Sequence, residues 1–255
     1  MDRLLDATAR AEARHFWFRG FRWFVTPMLE RAAGGRTGLR LLDCGCGTGS
    51  NLALLGRYGR AFGFDLTSSG LAYGRQAGRQ RLARASIGAI PFADDSFDIA
   101  TTFDVLYSLP EAVEQAAARE MYRVLRPGGW LVVNVAAMDI LRGDHSVLSH
   151  ELRRYSPGRL SGLLAGAGFT IERMTYTNAV LFPPMAAARA LQRARGLSAE
   201  QDAGQEIRVP PAPINLILAA ALKLESWWLK VGTSPFGSSL LCLARKPASG
   251  HTPRA

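Results

Sequence analysis

The strongest constraint on the fold is an alternation of short apolar runs with helical patterns between residues 38 and 137. GLRLLD (38–43), RAFGFD (60–65), SFDIATTFDVL (96–106) and WLVVNVAA (130–137) are typical of buried strands, and helical segments separate them. Strands that alternate with helices pair in parallel, because each connection has to carry the chain back across the sheet. The pattern therefore predicts an α/β domain with helices layered on the sheet.

The rest of the chain predicts additions to one domain. ARASIGAI (83–90) is a weak third strand, FTIERMTYT (169–177) a sixth and SSLLCLARK (238–246) the last. The segment between the last two strands is rich in proline and contains two helical patterns. We divide the chain into an N-terminal helical cap (1–35), a core (36–181), a helical insertion (182–237), the last strand (238–246) and a loose tail (247–255).

The charge balance favours acidic partners. The formal net charge is +10, and lysine occurs only at Lys223, Lys230 and Lys246, so nearly all the positive charge comes from arginine. Nucleic acid, anionic lipid and phosphorylated substrates are all compatible with such a balance. A genome biased towards arginine codons explains the same composition without any acidic partner.

The three cysteines and the hydropathy pattern indicate a cytoplasmic protein. Cys44, Cys46 and Cys242 form no CxxC pair, so a zinc site is not expected, and an odd number without a framework fits a reducing compartment. The N-terminal stretch carries charges throughout and does not resemble a signal peptide. The longest apolar stretch, APINLILAAALKLESWWL, is interrupted by Lys223 and Glu225, which argues against a membrane-spanning helix.

The stretch LLDCGCGTG (41–49) carries the most chemical information. Asp43 ends the first predicted strand, and glycines follow at alternate positions, where a backbone turns tightly or approaches a ligand. Amides at the start of a following helix form a polar pocket. Asp65 ends the second strand, where an acid accepts hydrogen bonds from the hydroxyls of a ribose. The spacing differs from both the dinucleotide pattern and the phosphate-binding loop of ATPases.

Four motifs together resemble the class I S-adenosylmethionine-dependent methyltransferases, in the small-molecule, type 11 branch. They are LLDCGCGTG, FGFD (62–65), IPFADDSFD (90–98) and MYRVLRPGGWLVV (121–133), in the family's order. The resemblance implies a Rossmann-like sheet of seven strands, mostly parallel with the last antiparallel. It also implies S-adenosyl-L-methionine as the cofactor and S-adenosyl-L-homocysteine as the product.

The same resemblance assigns cofactor-binding residues position by position. It puts Asp43 and Gly45 near the methionine end, Asp65 on the ribose and Leu66 against the adenine. Many relatives have an aspartate before the LPF turn, and here Ser86 stands in its place. The full set expected around the cofactor is Asp43, Gly45, Gly47, Gly49, Asp65, Leu66, Ser86, Ala89 and Phe103.

The acceptor is expected beyond the ends of the fourth and fifth strands, where Asp104 and Tyr107 lie. RGDHSVLSHELRRYSP (142–157) follows the fifth strand and predicts a lid over this place. Its side chains leave four interpretations open: a metal site, acid/base groups, a clasp for an acidic substrate, or a solvated turn. We take His145, His150, Tyr107 and Asp104 as candidate catalytic residues, Arg153, Arg154 and Tyr155 as candidate substrate contacts, and no metal.

The insertion suggests which acceptor the chain uses. Its second helix is apolar, with Trp227 and Trp228 beside Lys223 and Lys230, which suits a hydrophobic acceptor pocket or an interfacial helix. A helix that merely covers the sheet edge would have the same pattern. We expect a small or lipid-linked hydrophobic acceptor, with peripheral contact at the inner membrane face. The alternatives are an RNA methyltransferase, a cofactor-binding protein without catalysis, and a decarboxylase or cyclase on the same fold.

Overall fold

The computed structural model describes residues 8–196 and 209–248, and within these ranges seven strands form one sheet. Their spatial order is β3-β2-β1-β4-β5-β7-β6, with β7 antiparallel to both of its neighbours and the other pairings parallel. The predicted α/β class and the antiparallel last strand are therefore confirmed. The strands are β1 Leu39–Cys44, β2 Gly59–Asp65, β3 Leu82–Arg84, β4 Phe97–Phe103, β5 Leu125–Ala136, β6 Thr170–Thr177 and β7 Ser239–Arg245.

Helices surround the sheet, and several begin at the residues that the sequence marks. Ser156 caps one helix by accepting a hydrogen bond from the Arg159 amide, with Pro157 in the first turn, and Pro110 directly precedes another. The helices lying wholly within the described ranges are α1 Phe16–Ala33, α2 Leu52–Leu55, α3 Ser68–Gln76, α4 Glu111–Val124, α5 Asp144–Leu148, α6 Pro157–Gly166, α7 Phe182–Arg195 and α8 Ala212–Val231.

Several predicted elements differ from the observed ones. β5 begins at Leu125, five residues before the predicted run from Trp130, and β4 ends at Phe103 rather than Leu106. The third strand ends at Arg84, and the segment predicted to continue it turns back, so that Ser86 and Ala89 form an isolated bridge. The turn is held by Ile90, whose amide donates to Glu120 at 2.7 Å and whose carbonyl accepts from Arg123 at 2.9 Å. Side chains of α4 thus satisfy backbone groups that a longer strand would have paired.

The predicted N-terminal helix is also interrupted. His15 has extended backbone angles, and its Nδ1 accepts a hydrogen bond from the Trp17 amide at 3.1 Å. This cap starts α1 at Phe16 and separates it from the helical residues 8–11. A histidine in this role has no strong sequence signal, because caps are usually short hydroxyl or amide side chains.

The insertion helix α8 packs across α1. Leu222 is fully buried and lies directly against Gly20, and Asn215 accepts from the Phe16 amide at 2.8 Å and donates to the Arg14 carbonyl at 3.0 Å. The Lys223 ammonium lies 4.9 Å from the centre of the Trp23 ring, a cation–π contact. The N-terminal helix is therefore fixed from outside by the insertion.

We predict that Gly20→Val lowers the free energy of unfolding by about 2 kcal/mol, because overpacking a tight contact costs about 1–3 kcal/mol. A Cβ on Gly20 would overlap Leu222 Cδ1 and lie 3.0 Å from Leu222 Cβ. Urea unfolding measures the change. Gly162→Val in α6 is the matched control, since nothing lies within 4 Å of its added Cβ. Purely additive effects of Gly20→Val and Leu222→Ala would contradict the contact.

Candidate functional site

A cavity of about 900 Å³ lies at the carboxyl ends of β1, β2 and β4. The chain reverses its direction of strand addition between β1 and β4, and such a switch point leaves a crevice at the strand ends. The aromatic start of α1 also lines the cavity. From the sheet side it is lined by residues of the glycine turn, the β2 end and the β4 end, among them Gly45, Gly47, Asp65, Leu66, Phe103 and Asp104.

The glycine turn after β1 requires glycine for two reasons. Gly45, Gly47 and Gly49 all have positive φ, of 78°, 55° and 76°. At Gly45 an added Cβ would also lie 2.5 Å from Val105 Cγ2, in the loop after β4. The turn therefore lies close against the neighbouring strand end, and its glycine amides hold it in place by donating to the Phe64 carbonyl, the Asp65 carboxylate and the Cys46 carbonyl.

The Asp65 carboxylate ties this turn to the end of β2. Its Oδ2 accepts from the Gly47 amide and its Oδ1 from the Thr67 amide, both at 2.8 Å. Two backbone amides thus fix the orientation of a carboxylate that lines the cavity. Each oxygen keeps a second lone pair for a ligand hydroxyl.

Asp43 is buried beneath the turn with half of its carboxylate unpaired. Oδ1 accepts from the Thr101 hydroxyl at 2.7 Å, whereas Oδ2 has no hydrogen-bond partner among the described residues. Burial raises the pKa of Asp43 to about 7, with the nearby Asp65 adding to the effect and the Thr101 hydrogen bond opposing it. An unsatisfied buried acceptor of this kind fits a site completed by a cationic or hydrogen-bond-donating ligand.

The residues expected around an adenine divide into two groups. Leu66 and Ser86 line the cavity, and Ser86 Oγ accepts from the Gly88 amide at 3.2 Å, which leaves its hydroxyl proton to donate. Phe103 lines it too and makes an edge contact with Phe21 of α1. Ala89 lies outside the lining, because the turn points the buried Ile87 into the cavity instead.

Asp104 follows β4 in a strained conformation that aims its side chain at the cavity. Its φ is 59°, unusual for a residue other than glycine, and its Oδ1 accepts from Asn134 Nδ2 at 2.9 Å. The carboxylate is open to the cavity but shielded from bulk water, and this desolvation, together with Glu151, raises its pKa to about 7. Asn134 and Arg154 act in the opposite direction.

Tyr107 lines the same wall and keeps its proton at neutral pH. Desolvation and the nearby acids Asp104 and Glu151 raise its pKa well above the ordinary value, against a hydrogen bond with Ser149. Its carbonyl accepts from the Leu152 amide at 2.9 Å. The turn after β4 is thereby joined to the segment predicted as a lid.

The arginines of that segment are engaged with protein groups. Arg154 and Glu151 line the cavity as a buried two-pronged ion pair, at 2.9 and 3.0 Å. Arg153 donates to the Leu109 carbonyl at 2.6 Å and lies 3.3 Å from Glu114. Tyr155 is buried and hydrogen-bonded to Glu114. The structure therefore brings Arg154 to the cavity but not Arg153 or Tyr155, whose side chains join the segment to α4.

Of the two histidines of the segment, the structure describes the side chain of His150 alone, and it lies away from the cavity. His150 has a positive φ of 52°, is exposed and does not line the cavity. His145 lies in α5, but its side chain is outside the described part of the structure. Within the described ranges no group of three or more His, Cys, Asp or Glu side chains is arranged to hold a metal ion.

Sequence reasoning missed a clasp that holds the N-terminal segment on the glycine turn. Glu12 is buried, accepts from the Thr48 hydroxyl at 2.7 Å and pairs with Arg79 at 2.6 Å. Arg79 also donates to the Thr48 carbonyl at 2.7 Å. A single glutamate among charged residues carries no signal for such a contact, because its partners lie 36 and 67 positions away.

We predict that Asp43→Asn makes stability less sensitive to pH. The folded pKa of about 7 exceeds the ordinary 3.8, so the folded state binds the extra proton between these values. The bound proton contributes fully to the free energy of unfolding below the unfolded pKa, and this contribution is lost as pH rises through 7. Urea unfolding at pH 5, 6.5 and 8 should show the variant gaining on wild type as pH rises. Asp139→Asn, the same charge change at an exposed acid, controls for net charge, and equal pH slopes in the two variants would contradict the assignment.

Comparison with known proteins agrees with this geometry. Residues 42–133 match a family model described as a methyltransferase domain. The chain is 36% identical to the demethylmenaquinone methyltransferase of Roseiflexus sp. over 168 residues, 62% of this chain and 68% of that protein. It is 29% identical to the ubiquinone/menaquinone biosynthesis C-methyltransferase UbiE of Shewanella woodyi, over 58% of this chain and 72% of that one. With the UbiE of Pseudoalteromonas translucida, the match spans 52% of the relative.

Solved structures show the same fold over most of the chain. The methyltransferase in complex with the Haloferax volcanii Trm112 activator aligns with a TM-score of 0.58, 18% identity and 97% coverage of both chains. The [4+2]-cyclase SpnF aligns with a TM-score of 0.57 and 24% identity, over 88% of this chain and 80% of that one. At sequence identities this low, the likeness to these structures shows the fold alone. The sequence relatives and the matching methyltransferase domain, on a fold that agrees with them, show that the chain belongs to the class I S-adenosylmethionine-dependent methyltransferases of small molecules.

Proposed function

We propose that the chain methylates a small hydrophobic acceptor of the quinone type. The single observation that supports this is the cavity, which continues from the glycine turn into an aromatic wall beside the carboxyl group of Asp104. A flat apolar ring fits such a wall, and the acid supplies the polar contact that orients it. The wall is made by Phe16, Trp17, Phe18, Phe21 and Phe103.

The names of the relatives point to the same acceptor class. One is a C-methyltransferase of ubiquinone and menaquinone biosynthesis, and another a demethylmenaquinone methyltransferase. Quinone precursors carry a ring with ionisable hydroxyl groups and an apolar tail. The ring suits the aromatic wall, and the hydroxyl groups suit a base of pKa about 7.

The residues of the turn would hold the cofactor. We assign Asp65 to the ribose hydroxyls and Ser86 to the adenine, with Leu66 against its face. Asp43 lies beneath the turn and outside the cavity lining, so we assign its carboxylate to favouring the positive charge of the methionine end through the turn. When bound, S-adenosylmethionine supplies a methyl group activated by the sulfonium charge. The glycine turn and α1 exclude water from it, and the cavity wall holds the acceptor in line.

Asp104 is the base in this proposal. Its carboxylate is ionised in about half of the molecules near pH 7, and its proton affinity suits removal of a proton from an acidic hydroxyl or ring carbon. Asn134 donates to one oxygen of the carboxylate, and in this proposal the other oxygen takes the proton. The Glu151–Arg154 ion pair lies beside Asp104 and carries no net charge. Tyr107 keeps its own proton and serves as a donor to the acceptor.

An acceptor with an apolar tail resides in a lipid bilayer, so we propose that the enzyme meets it at the inner membrane face from the cytoplasm. Among the described helices, none is long and apolar enough to cross a membrane. A helix lying in the lipid interface would provide a contact with such a surface.

The direct test is methyl transfer from methyl-labelled S-adenosylmethionine to a short-chain demethylated quinol, followed by extraction into organic solvent. Label in the organic phase that depends on the protein supports the proposal. An extract of the source cell is labelled in parallel. Label that stays in the macromolecular precipitate and is released by nuclease would overturn it in favour of RNA methylation.

We predict that Asp104→Asn lowers the rate of methyl transfer by about 10²- to 10⁴-fold, the usual contribution of a general base. The wild-type rate should rise with pH and level off above about 7, where Asp104 is ionised. Tyr107→Phe is the matched variant on the same wall, and it should keep this pH profile. Cofactor affinity should be unchanged in both. A wild-type profile that persists in Asp104→Asn would assign the base elsewhere.

A further inference from the structure

The insertion helix α8 leaves one whole face uncovered. Of its large apolar side chains, seven are between 51 and 86% exposed in the described structure. Isolated exposed apolar residues are ordinary, but a contiguous set on one helix marks an interaction surface. The seven, called here the apolar face, are Ile214, Leu216, Ile217, Leu224, Trp227, Trp228 and Val231.

These residues form one continuous stripe. At about 100° per residue they follow one another around the helix within an arc of roughly 160°. The opposite arc holds the buried residues of the helix, including Leu222, Glu225 and Leu229. Buried and exposed faces are therefore both apolar, and packing against α1 accounts for only one of them.

The charges around the stripe are positive. Lys223 and Lys230 are seven positions apart, so they lie on one line along the border between the buried arc and the apolar face. The only acid of the helix, Glu225, is buried and accepts from the Ala179 and Val180 amides at 2.9 and 3.1 Å. No acid of α8 therefore faces outwards, and the chain as a whole carries a net charge of +10.

The stripe is joined to the cavity through α1. Leu222 and Asn215 hold α1 from the buried side of α8, and the start of α1 supplies the aromatic wall of the cavity. Whatever binds the apolar face therefore lies against the element that closes the acceptor end. Tryptophans at the rim of an apolar face and lysines at its border are the composition of a helix that lies in a lipid interface.

We infer that α8 docks the enzyme on an anionic lipid surface, with the apolar face inserted and Lys223 and Lys230 at the headgroups. The helix lies parallel to the membrane plane, since its other face is packed on the protein. This inference rests on the proposed function for its purpose, because it supplies the route by which a lipid-borne acceptor reaches the cavity. Lipid binding itself requires no methyl transfer.

The test is co-sedimentation of the full chain with vesicles of phosphatidylcholine and phosphatidylglycerol at low salt. Wild type should bind, and Trp227→Ser/Trp228→Ser should lower the partition coefficient by at least about tenfold, since each large apolar side chain contributes that much on burial. Lys230→Gln should weaken binding by about fivefold and reduce its salt dependence. Tyr73→Ser removes a partly exposed aromatic side chain from α3, at the opposite edge of the sheet, and should leave binding to the vesicles unchanged.

Three results would overturn the inference. One is failure of the wild-type chain to sediment with these vesicles, and another is unchanged sedimentation of Trp227→Ser/Trp228→Ser with native circular dichroism. The third, seen by light scattering, is a wild-type dimer that these substitutions convert to a monomer without any lipid binding, which would make the face a contact between copies.

A second assay distinguishes failure of the docking inference from failure of the proposed function. It measures turnover of a water-soluble short-chain quinol without vesicles. If only the docking inference is wrong, the double variant turns over this quinol at the normal rate; if the proposed acceptor is wrong, wild type does not turn it over.

Discussion

The carboxylate of Asp65 holds the site together. By accepting from the amides of Gly47 and Thr67, it links the turn after β1 to the turn after β2, across two parallel strands. The glycine turn can then lie against Val105 after β4, where no side chain would fit at Gly45. This junction fixes the ends of β1, β2 and β4, which line the cavity, relative to one another.

Two carboxyl groups at this junction lie where few protein groups stabilise their negative charge. Asp43 lies near the end of β1 and Asp104 directly after β4, and desolvation raises the pKa of both to about 7. The buried Asp43 lowers the stability of the folded chain at neutral pH, and a core of leucine, valine and phenylalanine around β1, β4 and β5 offsets this. A ligand that carries positive charge returns part of the loss by favouring the ionised forms.

The sequence allowed the sheet to be predicted because strand and helix periods alternate clearly and the motifs stand at strand ends. Leu39–Cys44 and Gly59–Asp65 were anticipated to within one residue for this reason. The place of a site residue could be predicted where a motif residue binds the backbone, as Asp65 does. It was not predictable where side chains meet from distant positions, as Glu12 meets Arg79. Arg153 and Tyr155 show the converse, because polar side chains that suit a substrate contact are engaged here by Glu114 of α4.

The Glu12 clasp has a consequence for the order of events in a catalytic cycle. Thr8 and His15, on either side of Glu12, line the cavity that the cofactor would occupy. If the cofactor of the proposed reaction leaves on that side, the segment has to lift, and lifting breaks a buried ion pair and a hydrogen bond to the glycine turn at once. The contacts that close this side of the cavity would then also lengthen the residence time of the product.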